Sequence, residues 1–486
     1  MTRHSATSPR QWSLDLLVVV VSKALISAAV LGSGFRAISD DDFARVVIAQ
    51  TFAAAPSLDP SGTSWLPFPF WIYGGAMLVF GRGLDTARGV ALALGLCAPA
   101  LLYAAAWLVT RERRAALVSG ILGGAFPYAA WMGVATVPDG FAAALAVFGV
   151  CALQPSREPR PGLVAGALAL WAATLSRYEF WPVAGVASAF ALADALRLRD
   201  RRAALIATLP LLGPLGWLLN GSLRHGDPLF FLARVSAYKR ALGAASEPFE
   251  RVLGLPVAIL RYEPELVAAA LVSVALLLSA RGARLSARYL RLGLALVAQL
   301  VFVMVGELGA AGPTHHGERA LLAVWCAAAV IVGDALGRAR RLELAGIVLA
   351  GGLAALTLRP RWTRLDGFAD REAEVALGAA ARQVAGTRAL AIDTSDYGYF
   401  AVIAGFAAPE HARPVMDHDP RRGRVEDPFA SPDAARRWLA AADAEFLVTA
   451  RGAESVPASL GIRRAQLGRF LLLELSPKFS HAGRGH

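Results

Sequence analysis

Runs of about twenty apolar residues, the length that crosses the hydrocarbon core of a bilayer, recur along the chain from residue 14 to residue 358. About eleven are present, near 14–34, 86–109, 114–132, 136–153, 161–176, 179–196, 203–220, 264–280, 292–309, 319–336 and 342–358. In lipid such runs satisfy their backbone only as helices, so the expected fold is a polytopic α-helical membrane protein. Composition agrees: 56% of the 486 residues are hydrophobic and 18% charged, against about 45–50% and about 25% in soluble domains. Intrinsic disorder is excluded by the same figures. The basic start and first apolar run lack a convincing cleavage site, and we read them as a retained first helix.

The formal charge is +12, but its distribution argues against nucleic acid. Basic residues gather in short clusters between the apolar runs: Arg3/Arg10, Arg111/Arg113/Arg114, Arg157/Arg160, Arg197/Arg199/Arg201/Arg202, Arg281/Arg284/Arg288/Arg291 and Arg338/Arg340/Arg341. They fall in alternate loops. By the positive-inside rule the N-terminus is cytoplasmic and everything after Arg359 extracytoplasmic. Cys97, Cys151 and Cys326 all lie in apolar runs, which predicts neither a disulfide framework nor a zinc site. Lys23 is the main charge inside a span and suits snorkelling or a pair with Asp15.

The intervening loops hold acids, aromatics, histidines and glycines, so the chemistry is expected to face outward. The first outer loop, 35–85, is long and carries two apolar segments, 42–55 and 65–80, that suit the membrane surface. The tail, 359–486, is more polar. Short buried strands are expected at 389–393, 445–449 and 470–475, and a helix with a Ser-Pro start at 431–442. This gives two domains, a transmembrane catalytic domain over 1–358 and a small extracytoplasmic α/β domain over 359–486.

Five places carry candidate chemistry. Ser39-Asp40-Asp41-Asp42 sets three carboxylates side by side beyond the first span, an arrangement that suits a cation, a helix N-terminus or solvent equally. Asp139, in Val137-Pro138-Asp139-Gly140, also suits a helix cap. Ser176-Arg177-Tyr178-Glu179 places an Arg and a Glu beside an apolar core, where they need partners. Residues 220–230 read as a polar turn returning to the membrane. His315-His316-Gly317-Glu318-Arg319 sits at the mouth of a late span, and its adjacent histidines are poorly arranged for one metal. No GxxxxGK[ST] loop is present, so no cytoplasmic nucleotide donor is expected.

Together these features resemble the GT-C superfamily, integral-membrane glycosyltransferases that use polyprenyl-phosphate-linked sugars, and within it the protein O-mannosyltransferases and lipid A aminoarabinose transferases. The resemblance rests on Asp41-Asp42 and the following helix, on Trp65-Leu66-Pro67-Phe68-Pro69-Phe70-Trp71 with Phe80-Gly81, on Pro138-Asp139, on Arg177-Tyr178-Glu179, on Gly226-Asp227-Pro228-Leu229-Phe230 and on Glu318-Arg319. Asp42 stands where Glu is commoner, Asp40 is an extra acid, and the second surface segment lacks a matching basic residue.

The resemblance implies transfer of a hexosyl or pentosyl group, with inversion, to an extracytoplasmic lipid, polysaccharide or protein. Asp41 would be the base, with Asp42 and Asp139 orienting the acceptor or holding a divalent cation such as Mg or Mn. Arg177 and Arg319, helped by His315 or His316, would bind the donor phosphate. Asp40, Trp65, Tyr178, Glu179 and Glu318 are further candidate site residues. A bacterial inner membrane is the implied location. The competing reading is a transporter or lipid-linked-sugar flippase, for which interrupted helices and related halves would be expected.

Overall fold

A computed structural model of the chain describes residues 9–154, 162–241, 248–281, 287–310, 317–339, 341–358, 370–394, 397–415, 427–452 and 455–476. The first helix, α1 (Pro9–Gly32), leads to two helices of the long loop, α2 (Asp40–Ala54) and α3 (Phe68–Phe80). Then come α4 (Leu84–Thr110), α5 (Arg113–Ala125), α6 (Pro127–Met132), α7 (Asp139–Ala152), α8 (Gly162–Thr174) and α9 (Phe180–Leu198). The helical part continues with α10 (Arg201–Thr208), α11 (Leu212–His225), α12 (Phe230–Ala241), α13 (Pro248–Tyr262), α14 (Pro264–Arg281), α15 (Ala287–Ala310), α16 (Leu322–Arg338) and α17 (Arg341–Leu358).

Helices occupy all eleven apolar runs. Among the described residues six are long and apolar enough to cross a membrane: Arg10–Gly32, Leu84–Thr110, Phe180–Leu198, Arg201–His225, Tyr289–Gly309 and Gly317–Arg338. The other five runs are not in that set, so eleven remains a sequence expectation. The run at 114–132 is broken between α5 and α6, because Pro127 lacks the N–H that would continue the helix.

Lys23 accounts for how that break is tolerated in an apolar interior. The Tyr128 amide leaves the helical ladder and donates to Glu263 Oε1 at 2.7 Å. Lys23 Nζ lies within hydrogen-bond distance of three carbonyls around the break, Gly124 (3.3 Å), Ala129 (2.9 Å) and Ala130 (3.3 Å). Asp15 is not its partner: it accepts from Arg113 at 2.7 and 2.8 Å and from Tyr103 at 3.2 Å.

The seam between α5 and α16 is built from small residues. Gly333 and Gly337, four apart on α16, face Ser119 and Ala115, four apart on α5. A Cβ on Gly333 would lie 2.6 Å from the Ser119 nitrogen, and one on Gly337 2.5 Å from the Ala115 nitrogen. Close backbone approach of this kind replaces the hydrophobic drive that membrane helices lack.

The tail forms a five-stranded sheet, in the order β2-β1-β3-β5-β4. Its strands are β1 (Leu390–Ile392), β2 (Ala412–Pro414), β3 (Phe446–Thr449), β4 (Gly461–Leu467) and β5 (Phe470–Leu475). β1 pairs in parallel with β2 and β3, and β5 runs antiparallel to β3 and β4. Helices α18 (Glu372–Ala385) and α19 (Tyr399–Phe406) cover one face, and α20 (Pro432–Ala441) the other. β1 and β3 are buried throughout, which is why both read as unbroken apolar runs. Ser431 caps α20, accepting from the Ala434 amide at 3.2 Å.

Candidate active site

The three adjacent acids at the start of α2 have three different sets of partners. Asp42 is buried, and its carboxylate accepts from the backbone amides of Ile38 and Ser39, each at 3.2 Å, and of Thr136 at 2.9 Å. The reach back to Ser39 is the reciprocal half of a capping box. Burial pushes its carboxyl above the usual range, opposed by the charge of Arg319 and by those amides. Asp40 turns the other way, to Arg371 of the tail, whose Nε and Nη2 each donate to it at 2.9 Å. Asp41 lies between them. Its Oδ2 is 2.8 Å from Arg319 Nη1, and its side chain keeps 33% of its surface exposed. Arg319 also donates to Ser39 Oγ at 2.6 Å.

A second acid group stands beside the first. Asp139, 2% exposed at the start of α7, has its Oδ1 2.6 Å from Arg177 Nη1, an ion pair without hydrogen-bond alignment. Its other oxygen has no hydrogen-bond partner among the described residues. Arg177 Nε donates to Glu179 at 2.7 Å. Thus Asp41, Asp139, Arg177, Glu179 and Arg319 come from four separate loops and meet at one end of the bundle. The basic loops contribute contacts at other points: Arg113 with Asp15, Arg338 with the Thr110 carbonyl, and Arg291 with Asp194.

Tyr178 and Trp65 form the wall. The Tyr178 hydroxyl donates to the Ser64 carbonyl at 2.6 Å and accepts from Trp217 Nε1 at 3.0 Å, while its ring stacks on Phe231 at 4.4 Å. This fixes the stretch that carries Trp65. The Glu318 carboxylate accepts from the Tyr128 hydroxyl at 3.4 Å. His315 and His316 lie outside the described residues.

Two residues were missed from sequence. Arg45 follows Asp41 by four positions, so one helix face presents both. Its guanidinium lies over the Trp65 ring, 4.6 Å from the centroid. It is 9% exposed, and its Nε has no hydrogen-bond partner among the described residues. A cation–π contact contributes about 0.5–2 kcal/mol, less than the several kcal/mol that desolvating a charge costs. Arg371 is the other, and no local signal could have linked it to Asp40.

Two structures of ArnT from Cupriavidus metallidurans are similar to this chain. The apo state gives a TM-score of 0.56 at 17% identity, covering 94% of this chain and 97% of ArnT. The form bound to undecaprenyl phosphate gives 0.51 at 17% identity, over 83% and 76%. The archaeal oligosaccharyltransferase AglB from Archaeoglobus fulgidus, in complex with an inhibitory peptide and a dolichol-phosphate, gives 0.50 at 14% identity, over 89% and 69%. The chain has the GT-C fold. No family model and no curated protein matches it.

On this GT-C scaffold the tail is part of the site's frame. Beside the Arg371–Asp40 pair, Arg82 donates to both oxygens of Glu410 at 2.8 Å, and Gln50 Nε2 donates to the Ala404 carbonyl at 2.9 Å. Ala401 and Ala404 of α19 pack against Phe43, Val46 and Ala49 of α2. Asp40→Asn and Arg371→Gln are each expected to lower stability by about 1–2 kcal/mol, and the double variant by less than their sum. Thermal unfolding of all four proteins measures that coupling; strictly additive losses would refute the pairing.

The acids are each engaged by protein groups. Asp41 faces Arg319, Asp139 faces Arg177, and Asp42 is held by amides. Among the described residues no three His, Cys, Asp or Glu side chains group as metal ligands.

Proposed function

We propose that this protein is an inverting glycosyltransferase that moves a hexosyl or pentosyl group from a polyprenyl-phosphate donor to an extracytoplasmic lipid, glycan or protein acceptor. The observation that carries this reading is Asp41, a partly exposed carboxylate that lies 2.8 Å from the guanidinium of the buried Arg319. The GT-C fold supports the same reading, since ArnT binds undecaprenyl phosphate and AglB dolichol-phosphate in their own structures.

In the reaction, the acceptor heteroatom bonds to the anomeric carbon as its proton passes to Asp41. The bond from that carbon to the phosphate oxygen breaks, and the phosphate leaves with the electron pair. The transition state is oxocarbenium-like, and a single displacement inverts the centre. Arg319 couples the two events. While Asp41 is ionised it neutralises Arg319; once Asp41 is protonated, that cation is released to the leaving phosphate as its charge grows. Arg177, itself bound by Glu179, holds Asp139, whose other oxygen, without a hydrogen-bond partner among the described residues, would orient the acceptor. Trp65 offers an aromatic wall to the sugar. On this proposal the site faces outward from a bacterial inner membrane.

The test is release of polyprenyl phosphate by purified protein in lipid, across a panel of labelled polyprenyl-phosphate sugars. Release from one donor identifies the sugar; none from any donor, with envelope extract as acceptor, rejects the reading. Because arginines already neutralise the acids, excess EDTA is expected to leave the rate unchanged. Loss on chelation, restored by Mg or Mn, would show that a cation takes part.

A further inference from the structure

Three guanidiniums gather at the site, and they are not equivalent. Arg319 has Asp41, and Arg177 has both Asp139 and Glu179. Arg45 has no ion pair or hydrogen bond among the described residues, although it is 9% exposed. What surrounds it is the Trp65 ring and the more distant charges of Asp139 and Asp41, which attract, and of Arg177 and Arg319, which repel. A buried guanidinium with no anion is costly, and the stacked indole offsets only the smaller part. A fixed, desolvated fork of donors of this kind matches a phosphate group.

We infer that Arg45, held over the Trp65 ring, is the primary ligand of the bound donor's phosphate, while Arg177 stays with its carboxylates and Arg319 stays with Asp41 until that acid is protonated. The identity of the anion rests on the proposed function; the anion site itself rests on the burial and missing partner of Arg45. Placing the phosphate there sets it on the same face of α2 as Asp41, one helical turn away. The loop carrying Trp65 thereby acts on the headgroup through Arg45, a role that needs no basic residue in the second surface segment.

The inference is tested by binding, without turnover. Wild type, Arg45→Gln, Arg45→Lys and Asp41→Asn are reconstituted in nanodiscs and titrated with polyprenyl phosphate, with the uncharged polyprenol and with inorganic phosphate. Polyprenyl phosphate is expected to bind Asp41→Asn at least as tightly as wild type, Arg45→Gln at least tenfold more weakly than wild type, and Arg45→Lys in between. Polyprenol is expected to bind all four equally. Ligand-free Arg45→Gln is expected to melt no lower than wild type, since it loses a charge that had no partner. Unchanged lipid-phosphate affinity in Arg45→Gln overturns the inference, and so does a lower ligand-free melting temperature. Equal protection by inorganic phosphate overturns the lipid as source of the anion. Because Asp41→Asn is scored on binding, failure of the base assignment leaves this result intact.

Discussion

Replacing Asp41 by Asn is expected to lower the chemical rate by about a thousandfold, within the range for loss of a general base. Asn keeps the side chain's size and one oxygen for Arg319, so the fold and donor binding are expected to persist. The loss should therefore appear in kcat, with no rise in KM for the donor. Single-turnover release of polyprenyl phosphate measures it. A loss smaller than tenfold would remove Asp41 as the base and move that role to Asp42 or Asp139. Asp139 would then be tested first, because one of its oxygens is unpartnered whereas both of Asp42's are engaged.

The second large effect is on stability. Gly333→Val is expected to destabilise the protein by about 4 kcal/mol or more, a magnitude reserved for severe overpacking and lost contacts. The added Cβ would lie 2.1 Å from Ser119 Oγ and 2.6 Å from its backbone nitrogen, so α5 and α16 would have to separate. Gly346→Val on α17 is the control. Nothing lies within 4 Å of its Cβ position, and a change of about 0.5 kcal/mol or less is expected. Yield of monodisperse protein and melting temperature in detergent report both. Equal behaviour of the two variants would refute the role assigned to the seam.

Much of this was legible in the sequence because its causes are local or periodic. Apolar runs mark helices wherever lipid is the solvent, and every such run is helical. The alternation of basic clusters separated the loops that meet at Asp41 and Asp139 from those carrying Arg113 and Arg338. β1, β3 and β5 were readable because burial on both faces makes them apolar. β2 was not, being three residues that end in Pro414, and neither was β4, whose Gly-Ile-Arg-Arg-Ala-Gln-Leu is largely exposed. The α5–α6 break was missed although Pro127 marks it, because apolar residues continue on both sides. Lys23 was legible as an anomaly, but its carbonyl partners lie more than a hundred residues away. The partners of Asp40 and Asp41 were hidden for the same reason. Three consecutive acids look alike in sequence, and only the fold assigns one to the backbone, one to the bundle and one to the tail.

That assignment has a consequence for the order in which the protein is made. Arg319 lies 278 residues after Asp41, and Arg371 lies 331 after Asp40. When the acids leave the ribosome, neither arginine has yet been synthesised. The first loop must wait through the insertion of nearly every later helix before its charges are neutralised. A chain interrupted before residue 319 would carry Asp41 without the arginine that neutralises it. One interrupted before residue 371 would leave the loop unfastened. On the proposed function, completion of translation would thus come before any chemistry at Asp41.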